Sequence, residues 1–581
     1  MMNILKIIVV FLLLGSSTSM QSQIKKSQLT EAFNTSVPQE KTIIQTNTDL
    51  LLTGEYLYYK IYCLNKNDGA YSKISKLAYV ELVGANSTII FKHKLKLENS
   101  SAQGDFFIPS TVLTGNYKLL VYTNWSKNKA YNSFYEHDIY ILNPFTTETQ
   151  KIASSKAKIN TVLVKQSNSA NDTLNDLQEL KLSTNKPVYS TREKGTIILT
   201  SDNYKKYRGS YSLSIRKLDS IHIIRDFTSK SNNIKKQGDT FYLPEIRGEI
   251  ISGKIKGVNG ASIENISVAL SIPGKDYVFK LVQTNSQGQF FFNISENYDT
   301  STAVIQVQEA NKQHYELVID KKEMNDFSRL NFSALELNPD IKPWLELRSV
   351  RSQIENAYYN VKSDSVFQTN YNLEPFFYPI ATTYVLDEYT RFNSVKETFV
   401  EIINTASLIK KDGKYKFMFS NSENSETIDV SNLTPLILVD GLLIHDNEEI
   451  VSYNPKNIES ISVVNRNYIY GSKLFGGIIA FATKKGDFKN FKNSKPFKMF
   501  ELKRPLNNKR YFMPNYDKKL ERIPDFRNQL LWAPNIQLNE DEVIVDFFTS
   551  DNIGKYEVKL EGYTTEGAYV LNTKSITVLN K

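Results

Sequence analysis

The chain has 581 residues, 71 Lys and Arg against 62 Asp and Glu, and a formal net charge of +9. That length exceeds what one hydrophobic core organises, and a prior of roughly 100–200 residues per domain predicts three to five domains. The only cysteine, Cys63, excludes an intramolecular disulfide, so stability must come from packing.

The N-terminus sets the expected compartment. Met1–Lys6 carry one positive side chain, Ile7–Gly15 are apolar, and Ser16–Gln23 are small and polar. This layout predicts a signal peptide over 1–21, cleaved after Ser19 or Gln21. No cysteine near the cleavage region offers a lipoprotein anchor, and no later run approaches the roughly 20 apolar residues of a membrane helix. The expected location is the periplasm or the outer membrane, with secretion as the alternative. Cys63, between Tyr62 and Leu64, reads as a small buried hydrophobe because no basic neighbour would activate its thiol.

From Thr42 to Asn143 short alternating runs recur: Leu57–Tyr62, Leu77–Leu82, Thr88–Phe91, Tyr117–Tyr122 and His137–Ile141. Strands at this spacing predict a β-sandwich over 38–146. Leu52-Thr53-Gly54-Glu55, Ala78–Leu82 and Gly115-Asn116-Tyr117 leading to Val121-Tyr122-Thr123-Asn124-Trp125 resemble the macroglobulin-type sandwich of exported Bacteroidota proteins. In α-macroglobulins related sandwiches surround a thioester. This chain has no Cys-Gly-Glu-Gln, which excludes a covalent protease trap.

Residues 147–175, rich in Ser, Asn and Lys, read as a linker or irregular segment. A second sandwich is expected over 176–243, from Lys186–Tyr189, Gly195–Leu199 and Tyr211–Ile215. A third unit over 244–335 begins at Ile251–Ile255, continues through Ala261–Leu270, and is expected to close a hairpin at Thr284–Phe290. Gly288 would supply the positive φ of that turn. It resembles the carboxypeptidase regulatory-like domain, without the His and Glu ligands that zinc would need.

Residues 373–487 break the β rhythm. Val395, Phe399, Ile402 and Ile403 mark one face of a helix over Ser394–Thr405, and Lys414–Phe419 follows as a strand. The apolar run Pro435–Val439 suits a strand buried on both faces, and Asp440-Gly441 supplies its turn. Pro435, Val439, Asp440 and Gly441, then Ile458, Glu459 and Ile461, then Tyr470 and Gly471, then Gly476, Gly477, Thr483, Lys484 and Gly486 resemble the plug domain of TonB-dependent receptors, in order. A receptor would follow its plug with a membrane barrel of many strands of roughly ten residues. Only 94 residues follow Asp487, so the resemblance implies a plug-like domain without a pore. Gly471, Gly476 and Gly477 lack the Lys-Ser/Thr of a phosphate loop and read as turn glycines.

Lys484–Arg522 holds thirteen Lys and Arg against four Asp and Glu, which equals the excess of the whole chain. Residues 488–522 therefore read as a basic, aromatic linker suited to an acidic surface such as lipopolysaccharide phosphate, with nucleic acid disfavoured in an exported protein. Residues 523–581, with Leu531-Trp532-Ala533-Pro534 and Gly554–Val558, are expected to form a separate C-terminal sandwich. A type IX secretion tail is the weaker reading of that end.

Catalysis finds no foothold. The five histidines (His93, His137, His222, His314, His445) are scattered, and no Gly-x-Ser-x-Gly elbow occurs. The sequence thus predicts a mainly β protein, tandem immunoglobulin-like or macroglobulin-like sandwiches plus one small α+β domain. No cofactor, metal or catalytic residue is expected. The expected role is a non-catalytic scaffold presenting the plug-like domain to an outer-membrane barrel or receptor component. A secreted glycan or peptide binder is the alternative, and an enzyme of unrecognised type the third reading.

Overall fold

A computed structural model describes residues 38–128, 134–146, 180–218, 241–298, 300–321, 325–328, 330–332, 335, 341–367, 374–419, 433–489, 494–516 and 522–580. The expected signal peptide (1–21) and linker (147–175) lie outside the described residues, as does His222. The described chain is mainly β, with three α-helices among the described residues.

The first sandwich packs a three-stranded sheet, Glu40–Thr46, Tyr56–Asn65 and Ser101–Phe107, on a five-stranded one that contains Leu77–Gly84 and Gly115–Tyr122. The strand Tyr56–Asn65 explains why so many of its residues are large. Leu57, Tyr59, Ile61 and Cys63 point into the sandwich core, while Tyr58, Lys60 and Tyr62 face the neighbouring domain. Burial on both faces removes the polar alternation of an exposed strand.

Burial, reinforced by the nearby Glu40 carboxylate, pushes the Cys63 thiol well up, as the apolar setting implied. The expected result is that a thiol reagent leaves Cys63 untouched in the native protein and labels it at the unfolding rate. Labelling at the speed of a free thiol would show that this core opens locally.

The second sandwich corrects the expected division of the chain. The strand Gly209–Lys217 pairs with Gln529–Ile536 on one side and Gly554–Thr564 on the other, and Lys194–Ser201 pairs with Glu542–Phe548. Leu180, Tyr211, Leu213 and Ile215 share one core with Leu530, Phe547, Tyr556 and Val578. Of residues 176–243 and 523–581, expected as two sandwiches, the described strands within 180–217 and 529–579 are the two halves of one. Each half is short of strands alone, and an isolated small sheet could not cover its apolar face. The described residues from 241 to 516 come between the two halves in the chain.

Lys60 joins the first sandwich to the second. Its side chain is fully buried and donates to Ser210 Oγ at 2.6 Å, to the Tyr211 carbonyl at 3.2 Å and to the Pro534 carbonyl. Desolvation holds this amine well below its ordinary 10.5. Between that lowered value and 10.5 the unfolded chain binds more protons than the folded one, so stability rises with pH across the window. Lys60→Met should abolish this rise in urea midpoints measured from neutrality up to the onset of tyrosine titration. A slope equal to that of the parent protein would place the titration elsewhere.

The third sandwich packs Gln289–Ile294, Glu249–Gly257 and Tyr315–Ile319 against Val278–Gln283, Ser267–Ile272, Thr302–Val307 and Phe497–Glu501. Two expectations are corrected here. Gly288 has φ +72 as anticipated, but Val278–Gln283 and Gln289–Ile294 belong to different sheets. The turn therefore crosses between layers instead of closing a hairpin. The basic segment 488–522 is also no mere linker, since Phe497–Glu501 pairs with Thr302–Gln306 and Lys509–Arg510 pairs with Ser365–Val366. Its lysines obscured a strand whose Phe500 packs on the sandwich core.

Helix α1, Lys342–Ala357, was not anticipated. It lays Leu345 on Leu50, Leu52, Tyr140 and Leu142 of the first sandwich. The α+β unit follows, with a sheet in the order Thr382–Val385, Ile458–Val464, Ile478–Thr483, Leu436–Val439 and Leu442–Leu443. Leu436–Val439 runs parallel to Ile478–Thr483. Helix α2 spans Val395–Glu401, shorter than expected, capped by the Ser394 side chain accepting from the Glu397 amide. Helix α3 spans Glu448–Val451.

Candidate functional site

The α+β unit carries every residue of the plug-like motif, and its central strands are buried on both sides. Ile437 and Val439 pack with Val395, Phe399 and Phe417 of the unit itself. Leu436 and Leu438, one position out of phase, pack with Phe279, Leu281 and Ala269 of the third sandwich. Ile479 and Phe481 face the first cluster, Ile478 and Ala480 the second. The apolar run 435–439 thus reflects a sheet clamped between its own helix layer and a neighbouring domain. Pro435 stands half-buried at its entrance.

Most of the remaining motif residues shape that contact. Asp440 and Gly441 have φ +49 and +79, the double positive-φ turn of a tight hairpin. A Cβ on Gly441 would lie 2.2 Å from the Tyr277 ring of the sandwich. One on Gly471 would meet the Leu281 carbonyl at 2.7 Å, and one on Gly486 the Lys275 amide at 2.6 Å. Tyr470 donates to the Phe279 carbonyl at 2.6 Å and stacks on Phe279, while Glu459 pairs with Lys275.

The others hold the unit together. Ile458 and Ile461 lie in its core. Gly477 packs under Phe419, and Gly476 approaches the Leu433 carbonyl. The buried Asp440 carboxylate accepts from the Thr483 amide at 2.7 Å, the Thr483 hydroxyl at 2.6 Å and the Phe488 amide at 3.1 Å. Lys484 pairs with Asp387 at the surface. The structure therefore brings the motif together as a fold-and-docking set.

Sequence reading missed the other half of this contact: Tyr277, Phe279 and Leu281. The signal was present. Tyr277-Val278-Phe279-Lys280-Leu281-Val282 is apolar on both phases but for Lys280, with Val278 and Val282 inside the sandwich and Phe279 and Leu281 outside it.

Among the described residues, one edge of the α+β sheet is open. Thr382–Val385 pairs only with Ile458–Val464 among the described residues, and Thr382, Thr383 and Val385 are exposed. Such an edge presents unpaired backbone groups to a further strand.

A second feature lies where the first sandwich, the second sandwich and α1 meet. A cavity of about 150 Å³ there is walled by Tyr56, Tyr58, Tyr359, Tyr511, Phe526 and Trp532. Tyr58 stacks near Trp532 with centroids 6.1 Å apart, and the buried Trp532 Nε1 has no hydrogen-bond partner among the described residues. Glu55, Glu355 and Asp364 balance Arg216, Lys362 and Arg527 around it, so its charge favours no ion.

The described histidines stay apart. Burial holds His93 down to about 4 and His445 down to about 3, so both are neutral imidazoles at physiological pH. Among the described residues no group of three His, Cys, Asp or Glu side chains could hold a metal ion, and no helix is long and apolar enough to cross a membrane.

No family model and no curated protein matches the chain. Among solved structures, Escherichia coli α2-macroglobulin activated by porcine elastase aligns with 93% of this chain at 9% identity and a TM-score of 0.24. The native conformation of the E. coli protein gives 93%, 10% and 0.24. The chain spans less than half the length of these proteins, 44% and 40% respectively. A β-glucosidase from Listeria innocua in complex with isofagomine aligns with 18% of this chain and 16% of its own, at 13% identity and a TM-score of 0.13. Superpositions this loose fix neither a shared arrangement nor a shared activity. The sandwich architecture rests on the strand pairing described above.

Proposed function

We propose that the chain is a non-catalytic binding scaffold of the bacterial cell envelope, exported by its N-terminal segment. In this reading the sandwiches form an arm, and the α+β unit is a plug-like module presented to an outer-membrane barrel or receptor component. The third sandwich corresponds to the carboxypeptidase regulatory-like domain of exported Bacteroidota proteins. The observation that carries the reading is the double-sided burial of Leu436–Val439. A module clamped to its arm in this way is held in a fixed orientation, which suits presentation, while the open edge at Thr382–Val385 suits strand addition by a partner.

The test is affinity capture of the tagged protein from cross-linked envelopes. Recovery of one outer-membrane protein with the parent chain, and its loss with Thr383→Pro, supports the scaffold reading; proline removes the backbone donor and disfavours an added strand. Recovery of the chain alone, chiefly outside the cell, overturns it.

A further inference from the structure

We propose that the cleft between the first and third sandwiches binds a polyanion bearing several phosphate groups. The inference does not depend on the plug-like reading. The cleft has a volume of about 1050 Å³ and is built chiefly from four separate parts of the chain: the Thr88–Lys96 strand, residues 247–249, residues 294–298 with Ser301, and residues 501–508.

Its charge is lopsided. Seven Lys and Arg side chains line it against four carboxylates. Two of those carboxylates and two of the cations are already committed: Glu249 accepts from Lys94 at 2.7 Å and from Tyr298 at 3.0 Å, Glu296 pairs with Lys280 at 2.6 Å, and Lys92 pairs with Glu81 at 2.8 Å. Lys76, Lys96, Arg247 and Lys503 are exposed, and among the described residues none of them pairs with a carboxylate. Burial lowers His93 to about 4, so that side chain adds no charge at neutral pH.

The cations are also positioned. The Leu502 amide donates to the Ser301 carbonyl at 2.7 Å, and the Leu506 amide to the Lys94 carbonyl at 2.8 Å. The backbone of Lys503 and Arg504 is therefore stapled between the two walls. Like charges held together in a concave, low-dielectric surface focus their field on whatever enters. The guanidinium fork of Arg247 matches tetrahedral oxyanions, and lysines add mobile point charges. A compact carboxylate would meet only part of this array, whereas linked phosphates can engage several cations at once. The basic segment 484–522 thus contributes to a site as well as to a sheet.

The test uses the full chain and inorganic tripolyphosphate, titrated calorimetrically over a salt series. Binding at low salt that weakens linearly on a log–log plot is expected, as is typical when phosphate contacts release counter-ions. Arg247→Glu with Lys503→Glu should weaken it by about tenfold or more, and Lys414→Glu with Lys416→Glu by less than about twofold. The second pair makes the same change in net charge on an exposed hairpin of the α+β unit. Unaltered circular dichroism would show that both variants fold. Sedimentation with equimolar phosphatidylglycerol–phosphatidylcholine vesicles, lost in the first variant only, would assign the phosphates to lipid headgroups. Binding of tripolyphosphate without vesicle binding would assign them to a soluble polymer. Absence of binding at low salt, or equal losses in the two variants, overturns the proposal.

Discussion

Gly441→Ala should destabilise the docked α+β unit by about 2–5 kcal/mol, from about 1–2 for a side chain forced into the left-handed region and about 1–3 for overpacking. Gly441 has φ +79, and a Cβ there would lie 2.2 Å from Tyr277 Cγ. The collision is with the neighbouring sandwich, so the variant tests the contact between units as well as the turn. Tyr277→Ala loses burial by itself, but in the Gly441→Ala background it also removes the obstacle. The double variant should thus cost less than the sum of the single ones, by about 1–3 kcal/mol. Strict additivity in urea denaturation would mean that Gly441 and Tyr277 are not in contact.

Arg348→Ala should cost about 3–5 kcal/mol, the range for stranding one partner of a buried ion pair. Arg348, 4% exposed, projects from α1 and donates to both Glu55 oxygens at 2.7 Å and to the Leu50 carbonyl at 3.2 Å. Burial pushes Glu55 up, but the charge and hydrogen bonds of Arg348 outweigh it and hold the carboxyl below its ordinary 4.5. In the parent protein this contribution is complete above 4.5 and is lost as pH falls through the lowered folded value. Without Arg348 burial dominates and raises the folded value, so the folded state binds the extra proton. The deficit of the variant should therefore shrink on acidification. Arg348→Lys, which keeps the charge but loses the fork, should recover only part of the stability. A deficit independent of pH in urea midpoints would remove Glu55 from this account.

The sequence made strands legible and their partners illegible. Tyr211–Ile215 reads as a strand from alternation alone, yet its neighbours are Leu531–Ile536 and Val558–Gly562, more than three hundred residues away. Local pattern reports which face is buried and says nothing of which distant segment covers it. That is why one sandwich appeared as two. The strand Phe497–Glu501 was hidden for a different reason, because charge density dominates a composition-based reading of 484–522.

Within the α+β unit, the apolar run 435–439 correctly implied burial on both faces, and the positive φ of Gly441, Gly471, Gly477 and Gly486 agrees with turn glycines. Gly476 differs, being confined by the Leu433 carbonyl instead of by its φ. What the motif could not reveal is that Gly441, Glu459, Tyr470, Gly471 and Gly486 face another domain. The residues they meet there, Lys275 to Leu281, lie more than a hundred residues earlier in the chain. The aromatic cavity was illegible too, since Tyr56, Tyr359, Tyr511 and Trp532 converge from four remote segments.

The central claim is that the α+β unit, held against its arm by one sheet face, meets an outer-membrane partner along its open edge. Site-specific photo-cross-linking in intact cells tests this most directly, with the probe placed in turn at Thr383 on the edge and at exposed Lys555 on the second sandwich. The account predicts one discrete outer-membrane adduct from Thr383 and none from Lys555. Adducts of equal yield from both positions, or none from Thr383 in cells that contain the folded protein, would contradict it.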